Sequence, residues 1–305
     1  MFDTLKIILP NLNYSESLIQ VLTSVSQHQK DNKHWIIGFL EPFRISITEN
    51  QVSIFGSLAK YYFGNNFHTL SRHQTKEALE NLQDDLQLLL LSEKVSRLDV
   101  SSNVKTIHPP KTYFSELQGS KGYQRFENPH SVYWQNSLRT KLVYDKQKEY
   151  KQKKELIPSE FTAKNTFRFE VRYQHKTSQI LKAPNLDVKT LYNQNFYNYV
   201  VSEWLKEFNS IEARKTPNFK PPKNVKDFEK MLIAQTIHQR GLDAIINEIK
   251  HFQKNKTLGG NKTTYQREIA KIKAINSDFS LTNDTLLIQE LKDKIKVEAQ
   301  RLIEC

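Results

Sequence analysis

The segment Phe167–Tyr173, FRFEVRY, alternates between large apolar and charged residues. A period of two fits a strand. Phe167, Phe169, Val171 and Tyr173 fall on one face, and Arg168, Glu170 and Arg172 on the other. VSRLDV (95–100) has the same character, with Arg97 and Asp99 opposite Leu98 and Val100. Two such strands call for a sheet with one apolar, covered face and one polar face. LKIILP, PFRISIT and QVSIFGSL read as further strands, the last two as a hairpin about Glu49-Asn50, and TKLVYDK as another. TKEALENLQDDLQLLLL (Thr75–Leu91) carries helical spacing, with Thr75 as its expected cap, and feeds directly into VSRLDV. This order predicts an α+β fold, a mainly antiparallel sheet with helices packed on it. Residues 102–138 give no clear pattern, and Lys151–Leu156 reads as a short helix.

From about Leu186 helical patterns take over: LYNQNFYNYVVSEWLKEFNSIE, VKDFEKMLIAQTIHQRGLDAIINEIKHFQ, NKTTYQREIAKIKAI and DTLLIQELKDKIKVEAQRLIE. A break rich in proline, TPNFKPPKN (Thr216–Asn224), interrupts them. The expected division is a catalytic α+β domain over 1–186 and an all-helical C-terminal region over 187–305.

The 305 residues carry a net charge of +12, so a polyanion, nucleic acid first, is the expected partner. The competing reading is a generally lysine-rich proteome. A single cysteine, Cys305, excludes a disulfide framework and a thiolate metal cluster. No apolar run approaches the ~18 residues of a membrane span, and Asp3 stands where a signal peptide would be cationic. A cytoplasmic location without membrane association is expected. The phosphate-loop and nucleophile-elbow patterns are absent. None of the nine histidines forms a His-x-His or His-x-x-x-His pair.

Two readings of the charged strand faces stand side by side. One is a solvated sheet face laced with ion pairs of little worth. The other is a shared floor on which Asp99 and Glu170 hold a divalent cation while arginines neutralise phosphate. In the second, TKLVYDK, read as a strand, puts Thr140, Leu142, Tyr144 and Lys146 on one face. A lysine beside the phenol would lower its pKa and prepare it to attack a phosphodiester. Seven basic against two acidic residues between Arg139 and Lys154 suit a polyanion track. An ordinary amphipathic tyrosine is the alternative.

Taken in order, MFDTLKIILP, GSLAKYYFGNN, SRLDV, TKLVYDKQKE and FRFEVRY resemble segments of the gene II/gene X replication initiators of filamentous phages and their plasmid and bacterial relatives. From physics alone GSLAKYYFGNN is a turn at a strand end. The resemblance spans roughly residues 1–180. It implies a Rep endonuclease-like domain that nicks one strand at a replication origin, single-stranded or hairpin. Such an enzyme stays on the new 5′ end through tyrosine and later rejoins the displaced strand. Tyr144, rather than the more exposed-looking Tyr150, matches the nucleophile, and Asp99 and Glu170 match acidic positions expected to hold Mg²⁺ or Mn²⁺. Lys146 and Glu149 complete a Tyr-x-Lys-x-x-Glu pattern. Arg97, Arg168 and Arg172 are expected to position phosphate or pair with the acids, and Lys141 and Lys148 to contact DNA. Unlike related His-hydrophobe-His endonucleases, the chain lacks a histidine pair, so carboxylates would ligate the metal. Unwinding would fall to a host helicase. A non-catalytic sequence-specific DNA-binding protein and a plasmid mobilisation relaxase are the alternatives.

Overall fold

The computed structural model describes residues 1–10, 15–217, 221–255, 257, 259–278 and 281–304. Cys305 and part of the 216–224 break lie outside the described residues. Its first compact unit comprises Met1–Glu212 and the residues from Glu290 onward. The strands are β1 (Phe2–Pro10), β2 (Thr23–Lys30), β3 (Lys33–Leu40), β4 (Phe43–Thr48), β5 (Gln51–Ser57) and β6 (Lys94–Thr106). A short strand β7 (Leu117–Ser120) stands outside the large sheet, followed by β8 (Gln124–Asn128), β9 (Ser131–Gln135), β10 (Arg139–Asp145) and β11 (Asn165–Tyr173). Ten of these form one antiparallel sheet in the order β2-β3-β4-β5-β1-β6-β11-β10-β9-β8. The two alternating strands, β6 and β11, are therefore neighbours at its centre, with Arg172 opposite Asp99 and Glu170 opposite Ser101.

The helices of this unit are α1 (Ser15–Val21), α2 (Leu58–Phe63), α3 (Arg72–Leu86), α4 (Pro110–Phe114), α5 (Lys146–Lys153), α6 (Thr177–Ile180) and α7 (Gln194–Asn209). The apolar face of the sheet is closed by α7: Trp204 and Phe208 pack on Phe169, Tyr197 on Phe2, and Trp204 Nε1 donates to the Phe169 carbonyl at 3.2 Å. Against the same face lies α4, with Tyr113 and Phe114 on Phe167. The polar face is covered only in part, by α5 against β10 and β11. The expected α+β architecture is what the chain forms.

The boundary expected at residue 186 is corrected. Because α7 supplies the cover of the central strands, the first unit continues through Glu212. The short strand β12 (Ile211–Ala213) follows, and the second unit spans Ala213–Gln289. It pairs β13 (Lys215–Pro217) with β14 (Leu281–Asp284) and packs α8 (Val225–Arg240), α9 (Leu242–Asn255) and α10 (Lys262–Asp278) around Ala234, Ile237 and Ile275. The single long helix expected over 225–253 is two, because Gly241 (φ 84°) breaks it. The last helix, α11 (Leu286–Glu304), returns to the first unit from Glu290 on, burying Leu291, Ile295, Ala299 and Leu302 at helical spacing. There Glu298 accepts from Ser102 at 2.5 Å.

Local chemistry explains three further differences. The cap of α3 is Ser71, not Thr75, because Ser71 and Gln74 form a reciprocal capping box and the buried Thr75 hydroxyl bonds back to the Ser71 carbonyl at 2.7 Å. The same helix stops at Leu86 because Gln87 takes a left-handed conformation. The GSLAKYYFGNN turn contains a helix, α2, capped by Ser57 and ended by Gly64 at φ 72°.

Trp204 has none of its surface exposed. Trp204→Ala should cost about 3–5 kcal/mol in urea unfolding; a loss under 1 kcal/mol would show that α7 is dispensable to the sheet.

Candidate active site

Each strand at the sheet centre presents its charged residues to one face. On β6 the Arg97 guanidinium clasps Asp99, Nε to Oδ1 at 3.0 Å and Nη2 to Oδ2 at 2.8 Å. On β11 Arg172 Nε donates to Glu170 Oε1 at 2.7 Å and reaches Asp99 at 4.0 Å. Arg168 Nε lies 3.4 Å from Glu170 Oε2. Onto that same oxygen the Tyr144 hydroxyl donates at 3.1 Å from β10, where Tyr144 stands opposite Arg168 in the ladder. Arg97, Asp99, Tyr144, Arg168, Glu170 and Arg172 thus form one network. Tyr144 also lines a cleft of about 130 Å³ with His130, Tyr133, Glu149 and Gln152.

The network is anchored from behind by Arg168, 2% exposed. Its guanidinium donates to Asp3 of β1, to Ser101 at 2.5 Å, to the Asn66 carbonyl at 2.8 Å and to Asn103 at 3.4 Å. An irregularity in the β1–β6 pairing between Phe2 and Leu5 accompanies the turn of Asp3 towards this site. Asp3 also accepts from Ser57 and Asn66. Asn66 in turn receives the Tyr150 hydroxyl at 2.8 Å and donates its backbone N–H to it at 3.0 Å. Asp3, Asn66, Ser101 and Asn103 were not foreseen. Asn66 stands two residues beyond the C-cap of α2, and the only signal for Asp3 was its position inside an apolar strand.

Burial pushes the Asp99 carboxyl up to about 6, with the Glu170 charge adding and Arg97 opposing. Burial also tends to raise Asp3, but Arg168, Lys146, Ser57 and Asn66 outweigh it and hold that carboxyl below its usual range. The Tyr144 phenol is driven well above its ordinary value, first by burial and then by Glu170 against the pull of Arg168. The expectation of a lowered phenol pKa is therefore corrected. Lys146 also differs from expectation. Asp145 ends β10 and caps α5, so Lys146 opens a helix instead of continuing the strand face. Its ammonium, fully buried, pairs with Glu149 at 2.6 Å and lies 5.6 Å from the Tyr144 ring centre. Burial and the Arg168 charge push it down to about 8.

Two more expectations change. Lys141 points to the opposite face, buried against α7, where it pairs with Glu207 at 2.8 Å and bonds Ser120 and Ser210. It ties helix to sheet and is not on the face of Tyr144. Tyr150 is 2% exposed against 8% for Tyr144, and its hydroxyl is held by Asn66, so it is the less accessible of the two. Lys148 is half-exposed on α5.

Among the described residues no group of three or more His, Cys, Asp and Glu side chains converges as a metal centre. Asp99 and Glu170 bring together two hard carboxylates, the donor type that a hard divalent cation takes. Guanidinium groups and the phenol engage all four of their oxygens. No helix among the described residues is long and apolar enough to cross a membrane.

Comparison with known proteins shows the family. The phage family model that describes the N-terminal part of a replication-associated protein, the gene II product, matches residues 1–204, the stretch that runs from β1 into α7. The chain belongs to this family of replication-associated proteins. No curated protein matches it. Among solved structures, a rolling-circle replication initiator protein from Geobacillus stearothermophilus is similar at 10% identity with a TM-score of 0.39, covering 75% of this chain and 89% of that one.

Lys146 gives a pH signature. Unfolded lysine titrates near ~10.4, so between about pH 8 and 10 the unfolded chain binds more protons than the native one, and stability rises with pH. Urea melts over that range should show the wild type gaining on Lys146→Met; parallel profiles would contradict a buried ammonium.

Proposed function

We propose that this chain initiates rolling-circle replication by nicking one strand at an origin through Tyr144 and later rejoining the displaced strand. The observation that carries the reading is the Tyr144 hydroxyl, donating to Glu170 on the polar sheet face beside the part-exposed guanidinium groups of Arg97 and Arg172. A phenol with a raised pKa stays protonated until an acceptor takes its hydrogen. Glu170 Oε2 is that acceptor in place. As Tyr144 Oη bonds to phosphorus, the bond from phosphorus to the 3′ oxygen breaks. The phenolic proton passes to Glu170, and the departing 3′ oxygen takes one from water. The 5′-phosphotyrosine keeps the energy of the phosphodiester, so attack by a 3′ hydroxyl reverses the step without a nucleotide.

Arg168 holds Glu170 and Tyr144 in register, while Arg97 and Arg172 release their carboxylates to meet phosphate charge. Asp99 and Glu170 would hold Mg²⁺ or Mn²⁺. The ion, when bound, polarises the scissile phosphate and stabilises the charge that develops on it. Glu149 fixes Lys146 beside Tyr144, and the half-exposed Lys148 on α5 would meet a DNA phosphate. Origin DNA is the substrate, and a separate helicase unwinds it.

Supercoiled origin DNA incubated with the protein and Mn²⁺ should yield a nicked circle with protein on its 5′ end. Tyr144→Phe should lower nicking at least ~10³-fold; equal nicking would refute the nucleophile. Asp99→Ala and Glu170→Ala should abolish cleavage while origin affinity stays within a few-fold, and full activity would sink the metal assignment. Binding without cleavage by the wild type would favour a non-catalytic DNA-binding protein.

A further inference from the structure

The polar sheet face continues past the tyrosine site into a groove of about 530 Å³ on the other side of Arg97. Its floor follows from the strand register. Arg44 on β4 stands opposite Phe55 on β5, Phe55 opposite Lys6 on β1, and Lys6 opposite Arg97 on β6. These four side chains form one transverse row. At ~4.8 Å per strand, three steps put the ends of the row roughly 14 Å apart. Ser46, Ser53, Ser96 and His175 also line the groove, Ser46 and Ser53 in the next row along the strands. None of the lining residues is acidic. Lys6 and Arg44 form no ion pair among the described residues, whereas every guanidinium of the tyrosine site is already engaged. Arg97 belongs to both: it clasps Asp99 and lays its guanidinium 5.2 Å over the Phe55 ring.

An edge-to-edge row of two unpaired cations about a half-exposed aromatic matches one ligand class. Cations meet successive phosphates and the ring takes a base, which requires a base free of its complement. We infer that the Arg44–Phe55–Lys6 row binds single-stranded DNA, holding the nucleotides of the nicked strand that lie on the Arg97 side of the scissile phosphate. The inference rests on the nicking reading for the position of that phosphate. The strand bound is identified by charge complementarity and by continuity of the groove with Arg97.

The test uses the full-length protein and a fluorescein-labelled single strand of the origin, read by anisotropy across a salt series, with a blunt duplex of equal length beside it. The double variant Arg44→Ala/Lys6→Gln should bind the single strand about tenfold more weakly and flatten its salt slope by about 1.4, at ~0.7 per phosphate contact. Phe55→Leu, which keeps the apolar bulk, should weaken binding about fivefold or more with an unchanged slope. Arg44→Lys with native Lys6 should restore the slope, showing that charge and not folding is lost. Duplex affinity should change less than twofold. Unaltered single-strand affinity, or equal losses on single strand and duplex, would overturn the proposal. Failure of the nicking reading is distinguishable: a wild type that never nicks, but whose single-strand binding still depends on this row, leaves the groove standing.

Discussion

A guanidinium withdrawn from water must be surrounded by acceptors, and Arg168 sets the position of nearly everything around it. It draws Asp3 from β1, Ser101 from β6, the Asn66 carbonyl from beyond α2 and Glu170 from its own strand onto one point. Burying a charge costs several kcal/mol unless the partners are in place, so these contacts fix one another. They also fix Tyr144, whose hydroxyl shares Glu170 Oε2 with Arg168. A buried ion cluster is weak evidence for raw stability. What it supplies is a unique arrangement of strands β1, β6, β11 and β10 on the polar side.

The two faces of the sheet divide the work. Trp204, Phe208 and Phe169 on one side, with the buried Lys141–Glu207 pair beside them, hold α7 to the sheet. The other side stays polar and only partly covered, and it is the face on which the proposed site lies. That asymmetry was already written into the alternation of FRFEVRY.

How far the sequence could be read follows from which interactions are local. Periodicity located β1, β4, β5, β6, β10 and β11, and put Arg97, Asp99, Arg168, Glu170 and Arg172 on common faces, because alternation in a strand is a property of neighbouring residues. It missed the β2–β3 pair, where Thr23–Lys30 is exposed throughout and carries no apolar signal. The Ser57 cap and the Ser71 capping box were not read from the sequence, where Thr75 stood as the expected cap. Asp3, Asn66 and Tyr150 joined the site through contacts 63 to 165 residues apart in sequence, which no local pattern encodes. Lys141 was misplaced for the simplest reason. It sits one residue out of phase with Leu142 and Tyr144, so its charge goes to the helix side, where Glu207 receives it. The direction of the Tyr144 shift was likewise set by burial, which a neighbouring lysine could not reveal.

The central claim is that Tyr144 carries the DNA. It is tested most directly by stopping the reaction with origin DNA in denaturant, digesting both polymers and sequencing the nucleotide-linked peptide by mass spectrometry. The predicted result is a phosphodeoxynucleotide on Tyr144, within the peptide that spans the end of β10. An adduct on Tyr150 or on any other tyrosine, or nicked DNA with no protein attached, would contradict it.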